Sequence, residues 1–247
     1  MPAISPKPSP PPSCGPRVWR VHVDDALAAF DKHLRNLDDP EQRRALRFRS
    51  ERDRVRFVVA RSSLRRLLAS ELGVETQQLE FGENAFGKPF LLRPTALMHF
   101  NTSHSGEWIL HALDTVAPVG VDVEFVRADL AKTEDFELVL SPEERLQIAG
   151  LPQAHRATAF ARAWVRKEAY VKAIGEGMSR SLADISIGVD SAGKPRLLYD
   201  RNPARSPLRW QFEEIEIDTK HVACVVYGSA DAEAAAVRAV AVRDVPS

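Results

Sequence analysis

The chain has 247 residues, of which 44% are hydrophobic and 28% charged, and its 34 basic residues balance 34 acidic ones. This composition excludes collagen-like, coiled-coil and wholly disordered chains, and zero net charge argues against binding nucleic acid through total charge. Cys14 and Cys224 are too few for a disulfide framework or a cysteine-rich zinc site. With no apolar run near the ~20 residues of a membrane span and no signal-peptide pattern, we expect a cytoplasmic protein.

The first half of the chain begins with a proline-rich stretch and continues with helical patterns. Residues 1–17 contain seven prolines and predict a disordered leader. The predicted elements that follow are a strand at Val18–Val23, a helix at Asp24–Leu37, a helix capped by Asp39 with Pro40 at its first position, and a long helical stretch that breaks near Ser50 and ends at Gly73.

From Leu79 onward strands and turns dominate until a second long helix. The predicted elements are a turn at Gly87–Pro89, a loop at Phe100–His104, strands at Trp108–Leu113 and Val119–Phe125, a capped helix from Ser141, a helix at Gln153–Ile174 and strands at 182–189, 196–199, 208–217 and 221–227. Residues 230–247 are expected to be a short helix or a frayed tail. The pattern predicts an α+β fold of two similar subdomains, 18–118 and 119–229, that meet near Pro118.

An acidic pair lies on the strand Val119–Phe125. Asp122 and Glu124 are two residues apart, so both side chains point to the same face, opposite the valines. Carboxylates that converge in this way suit Mg²⁺ or Mn²⁺ rather than zinc. The alternative interpretation is a solvent-exposed polar face of an antiparallel strand.

A second group lies on the long helix near residue 170. Trp164, Glu168 and Lys172 are spaced by four residues and therefore lie along one stripe of the helix. The alternative interpretation of Glu168 and Lys172 is an ordinary surface ion pair. The functional interpretation is favoured if Glu168 joins Asp122 and Glu124 in a site of three carboxylates.

Basic and polar side chains in the first half could bind phosphate. Lys88 lies on the predicted turn, while Ser103 and His104 can donate hydrogen bonds. Between Arg43 and Arg66 there are ten arginines and two acids, a density that suits phosphate because guanidinium matches it bidentately. The alternative is a solvated helix face.

In this order the segments resemble the 4′-phosphopantetheinyl transferases of the surfactin-synthetase-activating (Sfp) type. That family has a Gly-Lys-Pro turn, then Phe-Asn-x-Ser-His, then Gly-hydrophobic-Asp-hydrophobic-Glu, and later Trp-x-x-Lys-Glu-Ala-x-x-Lys. The matching segments here are Gly87–Pro89, Phe100–His104, Gly120–Glu124 and Trp164–Lys172, with Asp122 and Glu168 46 residues apart. The resemblance covers roughly residues 39–172.

The resemblance implies a pseudo-twofold pair of α+β subdomains with the active site in their cleft. It also implies transfer of the phosphopantetheine arm of coenzyme A to a serine of an apo acyl or peptidyl carrier protein, with release of adenosine 3′,5′-bisphosphate. Carried over by motif, the metal ligands for Mg²⁺ (or Mn²⁺) are Asp122, Glu124 and Glu168, the catalytic residues are Glu168 and Lys172, and the coenzyme A contacts are Arg52, Lys88, Ser103, His104 and Lys172.

The same resemblance makes Glu168 the base for the carrier serine, directly or through a metal-bound water. It leads us to expect a monomer that binds neither nucleic acid nor membrane, and it leaves open which carrier is served. Two other hypotheses stay open from the residues alone. One is another Mg²⁺-dependent phosphotransferase or pyrophosphohydrolase; the other is a non-catalytic nucleic-acid-binding module built on the Arg43–Arg66 stretch.

Overall fold

The structure is a computed structural model that describes residues 15–127, 133–202, 208–229 and 240–245. Most of the predicted leader, 1–17, and much of the predicted tail, 230–247, lie outside these ranges. The helices are α1 (Val23–Leu27), α2 (Phe30–Arg35), α3 (Asp39–Ala45), α4 (Glu51–Leu72), α5 (Thr133–Val139), α6 (Pro142–Ala149) and α7 (Gln153–Ile174).

The strands are β1 (Arg17–His22), β2 (Glu80–Glu83), β3 (Pro89–Arg93), β4 (His99–Ser105), β5 (Trp108–Asp114), β6 (Val119–Phe125), β7 (Ile185–Val189), β8 (Pro195–Asp200), β9 (Arg209–Ile215), β10 (His221–Ser229) and β11 (Ala241–Asp244). Two predictions are wrong here. Phe100–His104 lies within strand β4 rather than a loop, and residues 241–244 form a strand rather than a helix or frayed end.

Side-chain caps and glycines set the helix ends, largely where the sequence predicted them. Ser50 caps α4, and Gly73 ends it with a φ of 67°; Gly175 ends α7 with a φ of 81°. At such positive φ values glycine avoids the steric cost of a Cβ. The predicted cap Asp39 is wrong by one residue, because the Asp38 side chain accepts the Glu41 N–H and forms the capping box.

Two larger sheets organise the strands. One has the order β11-β1-β5-β4 and the other β6-β10-β9, while β2–β3 and β7–β8 are separate hairpins. Strand β11 pairs with β1 in parallel, so the end of the chain returns to the first sheet. Such a pairing carries little local sequence signal, which is why the tail prediction missed it.

Each long helix packs on one of these sheets. Leu64 and Leu68 of α4 join a core cluster with Trp19 and Leu113 of the first sheet. Residues of α7, Val165 among them, pack on the β10 side chains in a second cluster. The α+β class is therefore confirmed, with one long helix on one of the two larger sheets in each half, while the boundaries 18–118 and 119–229 stay a prediction. In the described ranges, no helix is long and apolar enough to cross a membrane.

Candidate active site

Strand β4 joins the two sheets through alternate polar side chains. Asn101 Oδ1 accepts the Val121 N–H at 2.9 Å, and Ser105 Oγ accepts the Phe125 N–H at 3.0 Å. Between them Ser103 Oγ donates to Asp122 Oδ1 at 2.6 Å. Polar residues at every second position thus bind β4 to β6, and they place Ser103 directly against the acidic pair.

Helix α7 lies unusually close to β6 because Gly120 has no side chain. A Cβ on Gly120 would stand 2.1 Å from the Ala169 carbonyl oxygen and 2.4 Å from the Ala173 nitrogen. Only glycine fits such an approach. The short separation brings Glu168 and Lys172, on the facing stripe of α7, to the carboxylates of β6.

These elements enclose a cleft of about 350 Å³. The side chains that line it come from β4, β6 and α7: Thr102, Ser103, His104, Asp122, Val123, Glu124, Trp164, Glu168 and Lys172. The structure therefore brings together six of the predicted site residues, although they are spread over 70 positions of sequence from 103 to 172.

Lys172, Asp122 and Ser103 form the polar centre of the cleft. Lys172 Nζ lies 2.6 Å from Asp122 Oδ1 and 3.1 Å from Ser103 Oγ. The Asp122 side chain is only 7% exposed, which excludes the interpretation of Asp122 as part of a solvated strand face. An ammonium held against a buried carboxylate and a hydroxyl offers positive charge and a hydrogen-bond donor to an incoming anion.

Burial and mutual repulsion raise the proton affinity of the other two carboxylates. Burial first, and then the charge of Asp122, raise the pKa of Glu124. The pKa of Glu168 is raised by burial and by Asp122, although Lys172 opposes the shift. Conversely, burial and then the charge of Arg56 lower the pKa of His104. The cleft thus combines repelling carboxylates with a histidine whose pKa is lowered.

Over the residues described, no group of three or more acidic, histidine or cysteine side chains is arranged to hold a metal ion. The donor set nonetheless fits a hard cation, because Asp122, Glu124 and Glu168 supply only oxygen ligands to one cleft and Asp122 repels each of the other two. The predicted site of three carboxylates stays a prediction.

Lys88 lies beside the cleft rather than in it. Its Nζ donates to the carbonyl oxygens of Val119 at 3.2 Å and Ala173 at 3.1 Å, so it contacts both β6 and the end of α7. Burial lowers the Lys88 pKa to about 8. Its side chain lines a separate cavity of about 230 Å³ with His99 and Phe100. A role in binding coenzyme A stays a prediction.

The arginines of the Arg43–Arg66 stretch do not share one surface. Arg65 is fully buried and binds Glu41 at 2.6 Å, and Arg61 binds the other oxygen of Glu41 at 2.8 Å. Arg52 forms an ion pair with Glu107 and lines a cavity of about 540 Å³ that shares Glu124 with the cleft. Its contact with coenzyme A also stays a prediction.

Sequence reasoning missed three residues that build the cleft. Asn101 and Ser105 attach β4 to β6, and Thr102 forms part of the wall. The signal for the first two was present, because Asn101, Ser103 and Ser105 alternate as strand residues do. A loop interpretation of this segment hid that pattern.

Comparison with known proteins gives matches to both halves of the chain. Residues 118–226 match the family model of the 4′-phosphopantetheinyl transferase superfamily, and residues 23–115 match the N-terminal domain of 4′-phosphopantetheinyl transferase. The transferase HetI of Nostoc sp. is 31% identical over 84% of this chain and 85% of its own length. The transferase gsp of Aneurinibacillus migulanus is 27% identical over 81% and 83%, and Sfp of Bacillus subtilis is 23% identical over 85% and 92%.

Proposed function

The chain belongs to the 4′-phosphopantetheinyl transferase superfamily, and we propose that its β4–β6–α7 cleft transfers the phosphopantetheine arm of coenzyme A to a serine of an apo carrier protein. The observation that carries the proposal is the convergence of Ser103, His104, Asp122, Glu124, Glu168 and Lys172 on one cleft. Adenosine 3′,5′-bisphosphate is the other product.

The reaction exchanges one phosphorus–oxygen bond for another. The carrier serine oxygen bonds to the phosphorus that bears the pantetheine arm, and the bond from that phosphorus to the bridging pyrophosphate oxygen breaks. The bridging oxygen leaves with the adenosine-side phosphate, and the serine proton must be accepted elsewhere. Glu168 is our assignment for that role, because its half-buried carboxylate lines the cleft together with Ser103 and Lys172.

Lys172 neutralises the charge that develops on the leaving phosphate, and the end of β4 binds the phosphates throughout the reaction. Lys172 Nζ supplies a formal positive charge at the centre of the cleft, and Ser103 and His104 supply hydrogen-bond groups on the β4 wall. A cation fixed in place before the reaction stabilises developing negative charge without reorganising. Arg52, in the cavity that shares Glu124 with the cleft, and Lys88, beside the cleft, are our assignments for the remaining phosphates of coenzyme A.

Asp122, Glu124 and Glu168 would hold a Mg²⁺ ion, with Mn²⁺ as a substitute. When bound, the ion neutralises pyrophosphate oxygens as a Lewis acid. Asp122 has further contacts in this site, because it also accepts a hydrogen bond from Ser103 and pairs with Lys172.

The test is transfer to purified apo carriers. Acyl, polyketide and peptidyl carriers are incubated with coenzyme A, Mg²⁺ and the enzyme, and the gain of the phosphopantetheine mass is followed. We expect transfer to at least one carrier, and Glu168→Gln or Asp122→Asn should reduce the rate at least ~100-fold while the fold and coenzyme A binding survive. Glu51→Gln, an exposed acid outside the cleft, is the control.

Full activity in Glu168→Gln or Asp122→Asn would refute the site assignment. Release of adenosine 3′,5′-bisphosphate from coenzyme A without any carrier would instead favour a pyrophosphohydrolase that uses the same carboxylates. Failure of every carrier in the panel, with no carrier-independent release, would refute the proposed transfer itself.

A further inference from the structure

A fully buried histidine stands directly behind the cleft. His111 lies in the middle of β5 with no exposed surface, and both of its ring nitrogens have partners. One nitrogen, Nε2, lies 2.8 Å from Ser63 Oγ of α4, and the other, Nδ1, lies 2.8 Å from Thr102 Oγ1 of β4. The imidazole therefore links the long helix of the first half to the wall of the cleft.

The direction of each hydrogen bond in this chain can be deduced. Ser63 Oγ has one proton, and it donates that proton to the Val59 carbonyl oxygen at 2.6 Å, one helical turn back. Ser63 must then accept from His111 Nε2. Burial, with a smaller effect of Arg61, lowers the His111 pKa to about 3, so the ring is neutral and carries only that one N–H. His111 Nδ1 is consequently an acceptor, and Thr102 Oγ1 donates to it.

The Thr102 hydroxyl proton is therefore donated to buried His111 and not to the cleft. Thr102 lies between Asn101 and Ser103, the residues that attach β4 to β6, and it lines the cleft beside Ser103 and His104. We propose that Ser63 and His111 are positioning residues for the transfer reaction, which hold Thr102 and thereby fix the phosphate-binding groups of Ser103 and His104. The proposal rests on the proposed function, because it assumes that these groups bind the phosphates of coenzyme A.

The chain provides a matched internal control one residue earlier in α4. His33 Nδ1 bonds to Ser62 Oγ at 2.9 Å, and both side chains are buried. This pair has the same chemistry and the same helix as Ser63–His111, but its other partner is Asn36, outside the cleft. A loss that is merely structural should affect the two pairs alike, whereas a positioning role belongs to His111 alone.

The experiment compares His111→Phe with His33→Phe in full-length protein. Thermal unfolding measures stability, and initial rates of carrier modification give kcat and the KM for coenzyme A. We expect both variants to lose stability, but only His111→Phe to raise KM, by about five- to tenfold with kcat within about twofold, because Ser103 and His104 bind the phosphates equally in the ground and transition states. Equal effects of the two variants on KM would overturn the proposal.

Substitutions of Thr102 keep the test decisive if His111→Phe does not fold. Thr102→Ser retains the hydroxyl and should keep KM within about twofold, whereas Thr102→Val leaves the buried His111 Nδ1 without a donor and should match His111→Phe. In a double variant the two losses should not add, because they interrupt one chain of hydrogen bonds. Additive losses, or a Thr102→Val enzyme with unchanged KM, would contradict the positioning role of His111.

Two readouts separate failure of this inference from failure of the proposed function. Nitrogen-15 NMR of the wild-type protein at neutral pH should show His111 as the neutral Nε2–H tautomer. A proton on Nδ1 would overturn the proposed positioning role even if transfer occurs. Calorimetric binding of adenosine 3′,5′-bisphosphate reports the phosphate groups without a carrier. If the wild-type protein modifies no carrier, but the affinity for this nucleotide is lower in His111→Phe and not in His33→Phe, the positioning role stands and the proposed function fails.

Discussion

Helices α4 and α7 are alike in length and ending but differ in what their charged side chains do. Each has 22 residues and ends at a glycine with positive φ, and each packs on the sheet of its own half. The α4 region carries the denser positive charge. Yet among the described residues it is α7 that sends a cation, Lys172, to the centre of the cleft.

The partners packed opposite each helix explain the difference. Arg61 and Arg65 of α4 face Glu41, an acid from the neighbouring α3, and both form ion pairs with it. Lys167 of α7 likewise forms an ion pair inside the protein, since it is fully buried against Glu144. Lys172, one turn further on, meets Asp122 at an open cleft. Charge density along a helix therefore locates a functional site less well than the position of the nearest acid.

Removing a buried arginine of α4 should have the largest effect on stability. Arg65→Met leaves Glu41, with a side chain only 8% exposed, without one of its two ion-pair partners. We expect the free energy of unfolding to fall by about 3–5 kcal/mol, measured by urea denaturation, with transfer per folded molecule unchanged. A loss below about 1 kcal/mol would mean that Arg65 is not a structural residue, and the contrast with α7 would fail.

The corresponding change in α7 should reduce activity, which the Arg65 variant retains. Lys172→Met removes the positive charge at the centre of the cleft, and we expect carrier modification to slow by about 10²–10³-fold. Lys194→Met, at a half-exposed surface lysine paired with Glu213, is the control and should retain full rate. Near-normal transfer by Lys172→Met would show that this lysine stabilises the fold and not the reaction.

The C-terminal end of α7 offers a pH test. Lys88 donates to the Ala173 carbonyl there, and its pKa is lowered to about 8 by burial. Between that value and the ordinary 10.5, the unfolded chain binds the proton more than the folded one. The free energy of unfolding contributed by Lys88 should therefore rise with pH across this window.

The measurement compares wild type with Lys88→Met by denaturation at several pH values. The difference between the two proteins should shift in favour of wild type from about pH 8 to pH 10.5 and be flat near neutrality. A difference that does not change across the window would mean that Lys88 is not buried as the structure has it. That result would strengthen its predicted role as a phosphate ligand at the surface of the cleft.

Local signals explain what could be predicted from the sequence. Ser50, Gly73 and Gly175 mark helix ends because capping and positive φ depend on neighbouring residues only. Asp122 and Glu124 could be placed on one face by strand period, and Glu168 and Lys172 by helix period. The convergence of these pairs came from the family resemblance, since period alone does not say which faces meet.

Contacts between distant segments are the features that could not be predicted from the sequence. Glu41 and Arg65 are 24 residues apart, Lys88 and Ala173 are 85 apart, and β11 pairs with a strand at the other end of the described chain. No local pattern specifies such partners. His111 shows the same limit: nothing around it in β5 indicates that its two neighbours are a helix serine and the threonine of the cleft wall.

The smallest effect should come from an exposed arginine of α4. Arg54 pairs with Glu51 one turn away, and their side chains are 36% and 79% exposed. Exposed pairs contribute only about 0.2–1 kcal/mol, so Arg54→Met should change the free energy of unfolding by less than about 1 kcal/mol and the KM for coenzyme A by less than about twofold. A rise in KM comparable with that of a cleft variant would mean that the exposed arginines of α4 bind coenzyme A phosphates, and that charge density had identified a functional surface after all.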